Sequence, residues 1–491
     1  MKIAIVLMPW QRRESPSPEI AMAISILKSQ NHKVSLWDIN TLMFSNSFSQ
    51  RRYWKHFLLE PDSETIENFQ EDSKDFFEYC AGQILSDNPY VIVFKCVGKT
   101  YYNSVKLASI IKEKNKDKII ILCGLLVTGQ KDIESIIARQ KEIPADFIIC
   151  GEDDVAIKEI TNAIETNTLG KLNGIFKKYN KVMDCSNGPV VENMDDLPFF
   201  DFSDFDLKNY RFQDVLEMFI SRGCPWKCAF CLDWKNERYR SMSGKRIFDE
   251  VSHLTEKYKD LRHIRFCDKT INGNMKSFSE YCNLTSRAVS KGLLRSDWVW
   301  SGDAIIRPEM TEELLRFASN AKCIGLGYGL ESGSEKVIMD MGKHFSIPLA
   351  ERVIKDTHNA NIKTTINIMV GFPTETRKDF LETIGFVTRN KEFIDEIRLT
   401  YDGCRVYPGS YLDTHADKYG VIYPDLDKER SNSIDSGIDK AVYWKSQDGT
   451  NTYEERVKRA EEMRQHILSL GIELRVNSRV TRKAKDNQNG K

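Results

Sequence analysis

The sequence has no excess of either charge and no long apolar run. Lys and Arg total 71 residues and Asp and Glu also total 71, so the whole-chain charge favours neither a nucleic acid nor a membrane surface as a partner. No apolar stretch is long enough to cross a bilayer, and the opening MKIAIVLMPW is a short strand-like run that is unlike a cleaved leader. These absences predict a cytoplasmic protein with no membrane span and no nucleic-acid partner.

A dinucleotide-binding fingerprint is also missing, because no G-x-G-x-x-G follows the first strand-like run. The first 165 residues nevertheless alternate strand-like and helix-like patterns, which indicates a parallel sheet covered by helices. A chain of 491 residues is long enough for two or three domains. We therefore predict a doubly wound, Rossmann-like α/β domain over residues 1–165, whose ligands lie beyond the carboxyl ends of its strands. The predicted strands cover residues 2–8, 33–38, 90–96, 118–123 and 146–150.

The twelve cysteines show no pattern typical of a disulfide framework, and several lie in apolar runs as buried thiols do. Cys224, Cys228 and Cys231 differ, because they form a C-x-x-x-C-x-x-C run on one short loop. A structural zinc site needs four ligands, and the next cysteine, Cys267, is too distant for the usual paired spacing. Three thiolates can hold three corners of a 4Fe–4S cluster and leave one iron open to a small-molecule ligand. Spacing alone favours the cluster and leaves zinc as an alternative.

This loop, with the aromatic Phe230 before its last cysteine, resembles the cluster-binding motif of radical S-adenosylmethionine (SAM) enzymes. The resemblance implies that the open iron binds the amino and carboxylate groups of SAM. It also implies a partial (β/α)6 barrel over residues 214–404, with the active site at the carboxyl ends of the strands. Six strand-like runs separated by helix-like segments agree with that fold. They cover residues 217–221, 263–267, 298–302, 323–330, 364–370 and 396–401.

The same resemblance suggests further SAM contacts. Glu331 lies in a Gly-x-Glu-Ser-Gly element whose glutamate contacts SAM in the family, although an ordinary surface glutamate is the alternative. Gly371 follows the fifth strand and would line the adenine through its backbone. Asp303 and Arg307 are candidates for contacts with the ribose or the carboxylate. Asp268 matches a common family position to which we assign no role.

The first domain resembles the cobalamin-binding domains that precede radical SAM domains. The resemblance rests on the run that begins at Pro16 and on turns at residues 123–128 and 151–154. These turns offer Gly124, Thr128, Gly151 and Glu152 as cofactor contacts. The family usually has Gly-Gly-x-x-x-Thr and Gly-Glu-Gly-Glu here, whereas this sequence has Cys123 and Asp153 in place of two of the glycines. Ordinary strand-to-helix turns are the alternative. No D-x-H-x-x-G occurs, so a bound cobalamin would lack a histidine ligand, with side chains of residues 97–102 under the corrin.

The remaining segments have weaker patterns. Residues 41–88 form a long aromatic-rich insertion, which is either a helical cap over the cobalamin edge or plain helix packing. Residues 166–213 are predicted to be a linker, because they carry turn residues and few periodic apolar positions. Residues 405–491 are predicted to be a C-terminal capping segment with a helix over 454–470 and a solvated, disordered tail. That segment would either close one mouth of the barrel or form a dimer contact.

The two domains together imply an enzyme that uses a 4Fe–4S cluster, SAM and cobalamin. The first hypothesis is a methyltransferase that methylates an unactivated carbon or phosphorus centre through a 5′-deoxyadenosyl radical and methylcobalamin. The second is a cyclase, ring-contraction or rearrangement enzyme without net methylation, and the third is a cobalamin-binding or redox-sensing protein. The implied partners are a small-molecule or peptide substrate and an electron donor such as flavodoxin or ferredoxin. No residue selects among substrates.

Overall fold

The structure is a computed structural model of the chain. It describes residues 1–46, 53, 63–96, 100–125, 141–174, 177–179, 181–184, 190–233, 238–424 and 441–477. The chain divides into two compact units. The first comprises Met1–Glu217 and Tyr258–Leu261, and the second comprises Met218–Lys257 and Arg262–Lys491.

The first unit is built on a sheet of apolar strands. They are β1 (Lys2–Leu7), β2 (Lys33–Asp38), β3 (Val91–Lys95), β4 (Ile119–Leu125), β5 (Phe147–Cys150), β6 (Lys177–Tyr179) and β7 (Val182–Asp184). The strand order is β2-β1-β3-β4-β5-β7-β6, and every pair from β2 to β7 is parallel. β1, β3 and β5 are buried along nearly their whole length, as parallel strands covered on both faces are. The order 2-1-3-4-5 confirms the predicted doubly wound fold.

Helices cover this sheet and supply the insertion. They are α1 (Pro18–Ser29), α2 (Ile39–Asn46), α3 (Ser63–Asp72), α4 (Lys74–Ser86), α5 (Thr100–Lys114) and α6 (Asp154–Glu165). In the described part of the insertion, the Phe69 ring lies 4.6 Å from that of Trp10 and 6.1 Å from that of Phe77. Phe69 and Phe77 are fully buried in the core of the unit. Phe69 and Phe77 therefore belong to the hydrophobic core of the first unit.

The segment before the second unit lies against α1. The Ser25 hydroxyl donates to the Phe199 carbonyl at 2.6 Å, and the Lys28 ammonium pairs with the Asp201 carboxylate at 2.8 Å. Asp204 accepts from the same ammonium. These contacts attach the end of the predicted linker to the first unit.

The second unit is built on a second sheet. Its strands, with two short two-stranded ladders, are β8 (Val215–Met218), β9 (Ser221–Arg222), β10 (Arg240–Ser241), β11 (His263–Phe266), β12 (Val299–Ala304), β13 (Cys323–Glu331), β14 (Lys363–Ile368), β15 (Glu396–Thr400), β16 (Val421–Ile422), β17 (Lys445–Ser446) and β18 (Glu473–Asn477). The order in the large sheet is β18-β15-β14-β13-β12-β11-β8, and the neighbours from β11 to β18 run parallel. This arrangement confirms the predicted barrel-type sheet. The sequence did not predict β18, which adds a strand beyond β15.

Helices of the second unit follow its strands. They are α7 (Gly244–Lys257), α8 (Met275–Ser290), α9 (Glu312–Asn320), α10 (Glu335–Asp340), α11 (Ile347–Asn359), α12 (Arg377–Asn390), α13 (Tyr411–Thr414) and α14 (Tyr453–Ser469). Short 3₁₀ helices occur at Leu169–Gly174, Met194–Asp196, Leu207–Asn209, Lys391–Phe393 and Ala416–Tyr419. Capping side chains set several helix starts; for example, Thr376 and Asp379 form a capping box at α12. No helix in the described ranges is both long and apolar enough to cross a membrane.

Candidate active site

The three-cysteine loop follows β9 in the second unit. Cys228 is buried, Cys224 and Cys231 are half-buried, and all three are free thiols. Burial raises the pKa of all three, to about 12 for Cys231, where the Asp233 carboxylate adds to the effect. The thiols therefore resist ionisation by themselves, and bound metal would have to supply the positive charge that stabilises thiolates.

A buried carboxylate fixes the chain just before this loop. Asp268 follows β11, and its carboxylate accepts from the Ile220 amide at 3.0 Å and from the Ser221 amide at 2.6 Å. The Ser221 hydroxyl donates to the same carboxylate. Burial raises the pKa of Asp268 to about 7, although these donors oppose the shift. Asp268 thus holds the strand that leads into the cysteine loop, a role that the sequence did not reveal.

The backbone of the loop is held on its other side as well. The Ala229 amide donates to the Met341 carbonyl at 2.9 Å, and the Leu412 amide donates to the Ala229 carbonyl at 2.9 Å. Ala229, which lies between Cys228 and Phe230, is therefore hydrogen-bonded to the C-terminal end of α10 and to the start of α13. The loop is a fixed element of the second unit.

A buried lysine lies beside the loop. The Lys343 ammonium donates to the Gly329 carbonyl at 2.7 Å. It also lies 5.8 Å from the ring centroids of Trp226 and Phe230 and 6.0 Å from that of Phe345, within cation–π range. Its charge favours the thiolate forms of the nearest cysteines. Lys343 could not be predicted from the sequence, because it lies in a segment with neither a strand pattern nor a recognised motif.

The predicted SAM contact Glu331 meets the same lysine. Glu331 ends β13, and its carboxylate lies 3.4 Å from the Lys343 ammonium, with 14% of the Glu331 side chain exposed. Burial raises the pKa of Glu331, and the lysine partly opposes that shift. Glu331 is therefore not an ordinary surface residue, and the structure brings it together with Phe230 around one ammonium group.

The other two polar candidates lie in different surroundings. Asp303, on β12, pairs with Arg398 of β15 at 2.9 Å, and its side chain is 44% exposed. Arg307 donates to the Gly273 carbonyl at 2.9 Å and pairs with Glu309 at 3.2 Å, so its guanidinium supports the loop after β11. The structure places Asp303 on the sheet and turns Arg307 towards a neighbouring loop.

Gly371 lies just after β14, in a turn with φ of +72°. Its amide donates to the Glu375 carboxylate at 2.8 Å. Burial raises the pKa of Glu375 to about 7, against the effects of the Gly371 amide and of Arg459. The turn is thus closed on itself by a buried carboxylate.

The predicted cobalamin contacts lie at the carboxyl edge of the first sheet. Gly124 near the end of β4 has φ of +75°, and a Cβ atom there would lie 2.9 Å from the Cys96 carbonyl oxygen. Gly151 after β5 has φ of +95°. The Glu152 carboxylate accepts from the Val191 amide at 3.0 Å. Thr128 lies outside the described residues, as do residues 97–99 of the segment expected under the corrin. The absence of a side chain at Gly124 therefore lets β4 lie close to the end of β3.

Asp153, one of the two residues that depart from the family pattern, has a buried partner. Asp153 receives two hydrogen bonds of 2.6 Å from the Lys95 ammonium, and both side chains are 7% exposed. The charge of Asp153 raises the pKa of Lys95, although burial opposes it. This ion pair joins the end of β3 to the turn after β5.

The donor set of the loop is three thiols. Over the described ranges, no three His, Cys, Asp or Glu side chains are close enough together to hold one ion. The thiolates of a 4Fe–4S cluster bind three different irons, so they lie farther apart than ligands of one ion do. Three thiols on one loop match the three protein ligands of such a cluster.

Comparisons with known proteins agree with this site. Residues 218–387 match the family model of the radical SAM superfamily. An uncharacterized methyltransferase of Pyrococcus horikoshii is 25% identical over 362 residues, which cover 72% of this chain and 74% of that protein. An anaerobic magnesium-protoporphyrin IX monomethyl ester cyclase of Cereibacter sphaeroides is 23% identical over 48% of this chain, and the match covers 40% of the cyclase.

Two solved structures share the fold of both units. The radical SAM methyltransferase TsrM from Kitasatospora setae, solved with tryptophan substrate and a SAM analogue, has a TM-score of 0.65 at 11% identity. The match covers 96% of this chain and 89% of TsrM. The cobalamin-dependent radical SAM enzyme OxsB, solved with aqua-cobalamin, has a TM-score of 0.57 at 13% identity, over 95% of this chain and 56% of OxsB. At such identities these structures show the fold alone.

Proposed function

We propose that the chain, whose residues 218–387 match the radical SAM family model, is a cobalamin-dependent radical SAM methyltransferase acting on an unactivated carbon or phosphorus centre. One observation carries the proposal. A single chain combines the three-cysteine loop with a doubly wound unit whose β4 and β5 lead into glycines of positive φ. The names of the Pyrococcus relative and of TsrM support methyl transfer, and a TsrM structure was solved with cobalamin and a 4Fe–4S cluster bound.

In this proposal, Cys224, Cys228 and Cys231 hold the cluster. When bound, the cluster supplies the electron that cleaves SAM, and cobalamin supplies the methyl group. Glu331 accepts hydrogen bonds from the ammonium of the methionine moiety, and Lys343 binds its carboxylate. The two charges lie 3.4 Å apart beside the cysteine loop, so together they match a zwitterion. Their burial excludes water that would weaken both contacts.

At the first unit, Gly124 and Gly151 present backbone to the corrin, and a side chain at either position would be strained. Thr128 and Glu152 are proposed as further contacts. The Lys95–Asp153 pair keeps the end of β3 and the turn after β5 together across the intervening β4. No D-x-H-x-x-G occurs in the sequence, so a bound cobalamin would have no histidine of that motif as a ligand.

The substrate is proposed to be a small molecule or a peptide with polar groups. The Asp303–Arg398 pair on the second sheet is partly exposed on both sides, at 44% and 27% of the side chains. A charged group of the substrate could take the place of one partner of this pair and bind the other partner. The one-electron donor is proposed to be a flavodoxin or a ferredoxin.

A radical cyclase or rearrangement enzyme is the second candidate, because the Cereibacter relative is named as a cyclase. It would use the same residues for the cluster, SAM and cobalamin, and would differ in the fate of the substrate. A sensing protein is a weaker candidate, since a structural cluster alone would not need the buried Glu331–Lys343 pair.

The test is anaerobic reconstitution of the whole chain with iron, sulfide and hydroxocobalamin, followed by metal analysis. We expect about four irons and one cobalamin per chain, and cleavage of SAM after reduction. SAM with a deuterated methyl group then distinguishes the candidates, because a methyltransferase transfers the label to its product and a cyclase does not.

The Cys228→Ala variant should lose the cluster and the cleavage, whereas Cys267→Ala, at an exposed cysteine outside the loop, should keep both. Iron without cobalamin would refute methyl transfer through cobalamin, and zinc in place of iron would refute the whole proposal.

A further inference from the structure

The turn after β14 is held by residues from the C-terminal end of the chain. The Asn451 side-chain amide donates to the Gly371 carbonyl at 3.2 Å and to the Phe372 carbonyl at 2.9 Å. Arg459 of α14 pairs with the Glu375 carboxylate at 3.0 Å and donates to the Glu375 carbonyl at 3.2 Å. Because Glu375 also accepts from the Gly371 amide, two residues of the C-terminal segment fix both ends of this turn.

A third residue, Arg456 of α14, lies directly against the turn. A Cβ atom added to Gly371 would lie 2.3 Å from Arg456 Cγ, and one added to Gly403 would lie 2.9 Å from Arg456 Cβ. The two glycines therefore leave the space that the arginine stem fills. Since Gly371 has φ of +72°, its backbone conformation also depends on having no side chain.

The guanidinium of Arg456 has an unusual environment. It is fully buried, lies 4.0 Å from the ring centroid of Trp444 and donates to the Trp444 carbonyl at 3.1 Å. It also donates to the Val442 carbonyl. Burial lowers the pKa of Arg456 to about 10. Burying a guanidinium is costly, and an apolar side chain would suffice to attach a helix. Arg456 also connects residues 442–444 to the turn at Gly371. Its guanidinium donates to carbonyls of the former, and its stem packs against the latter.

We propose that residues 441–477 are part of the SAM site, and that Asn451, Arg456 and Arg459 position the turn at residues 371–375 so that its backbone lines the adenine. This inference rests on the proposed function and on the backbone contact with the adenine that the sequence predicts for Gly371. Backbone contacts depend on conformation, and here three side chains from a distant part of the chain fix that conformation. They are positioning residues, since they act on SAM through the turn.

The test compares SAM with free methionine on the reconstituted whole chain. Methionine carries the amino and carboxylate groups that bind at the cluster and lacks the adenosine. The variant Arg456→Met keeps the length of the side chain and removes its hydrogen bonds, and Arg456→Lys restores the charge. Lys458→Met is the matched control, because Lys458 is exposed on the same helix. Dissociation constants are measured anaerobically by calorimetry, with iron content and melting temperature recorded for each variant.

We expect Arg456→Met to weaken SAM binding about tenfold, because misplacing a contact surface by a fraction of an ångström is costly, and to change methionine binding far less. Arg456→Lys should recover part of the affinity, and Lys458→Met should behave as the parent. Equal losses for SAM and methionine, or no loss for either, would overturn the inference. If Arg456→Met does not retain iron, Asn451→Ala provides the second test, with the same selective loss expected. A parent protein that holds the cluster and binds methionine but not SAM would instead refute the proposed function.

Discussion

Asp268 shows how one carboxylate can determine the geometry of the cysteine loop. It faces the amides of Ile220 and Ser221 and the Ser221 hydroxyl, so all three donors depend on its two oxygens. The variant Asp268→Asn replaces one of the two acceptor oxygens with an NH2 group. That NH2 group would face the amide and hydroxyl donors and could not accept from them. We expect the variant to lose about 1–3 kcal/mol of stability and to release iron faster to a chelator. Iron release is followed by absorbance, with Asp417→Asn, at an exposed position, as the control. Equal release rates for the two variants would contradict this role.

The raised pKa of Asp268 also predicts a pH dependence. Between its unfolded value of 3.8 and about 7, the folded protein binds a proton at Asp268 that the unfolded chain does not bind. The contribution of Asp268 to the free energy of unfolding is therefore complete below pH 3.8 and is lost as the pH rises through 7. The melting temperature of the metal-free parent, relative to that of Asp268→Asn, should fall between pH 5 and pH 8. A difference that rises over this range would contradict the assignment.

The residues of the site differ in how well the sequence could predict them. Cys224, Cys228 and Cys231 were found because ligands on one loop leave a local spacing. Lys343 and the role of Asp268 were missed, because each acts on a segment that is distant in the sequence. A lysine or an aspartate at such a position has no local pattern that separates it from a solvated surface residue. The sequence could therefore predict the ligands of the proposed cluster. It could not predict that Asp268 binds the backbone before the loop or that Lys343 places a positive charge beside the cysteines.

Among the secondary-structure elements, the strands with apolar runs were predicted well, whereas β18 was not, nor were β6 and β7, which lie within the predicted linker and pair beside β5. The sequence of β18, ELRVN, has two apolar residues, and Val476 is 37% exposed, so little burial marks it as a strand. It becomes a strand by pairing with β15, with Glu473 opposite Glu396 and Asn477 opposite Thr400. An edge strand of this kind depends on its neighbour more than on its own propensity.

Deleting residues 471–491 would expose the edge of β15. We expect this deletion to lower the melting temperature and to cause self-association, because an unpaired strand edge can pair with another chain. The deletion of residues 478–491 is the matched control, since it leaves β18 in place. Size-exclusion chromatography and thermal unfolding would compare the two proteins. Equal association of both would show that β18 does not protect this edge.

At the scale of the whole molecule, the two proposed cofactor sites lie in separate compact units, each with its own sheet. Loss of one cofactor should therefore leave the other bound.

Gly124→Ala places a Cβ atom 2.9 Å from the Cys96 carbonyl oxygen at a φ of +75°, which costs on the order of 1–3 kcal/mol. We expect this variant to bind less cobalamin and a full complement of iron, and Cys224→Ala to show the reverse. Cobalt and iron are measured in the same samples. Gly82→Ala serves as the control, because its added Cβ would meet no described atom within 4 Å apart from its chain neighbours and the backbone of its own helix. Loss of both metals from either variant would mean that the units do not bind their cofactors independently.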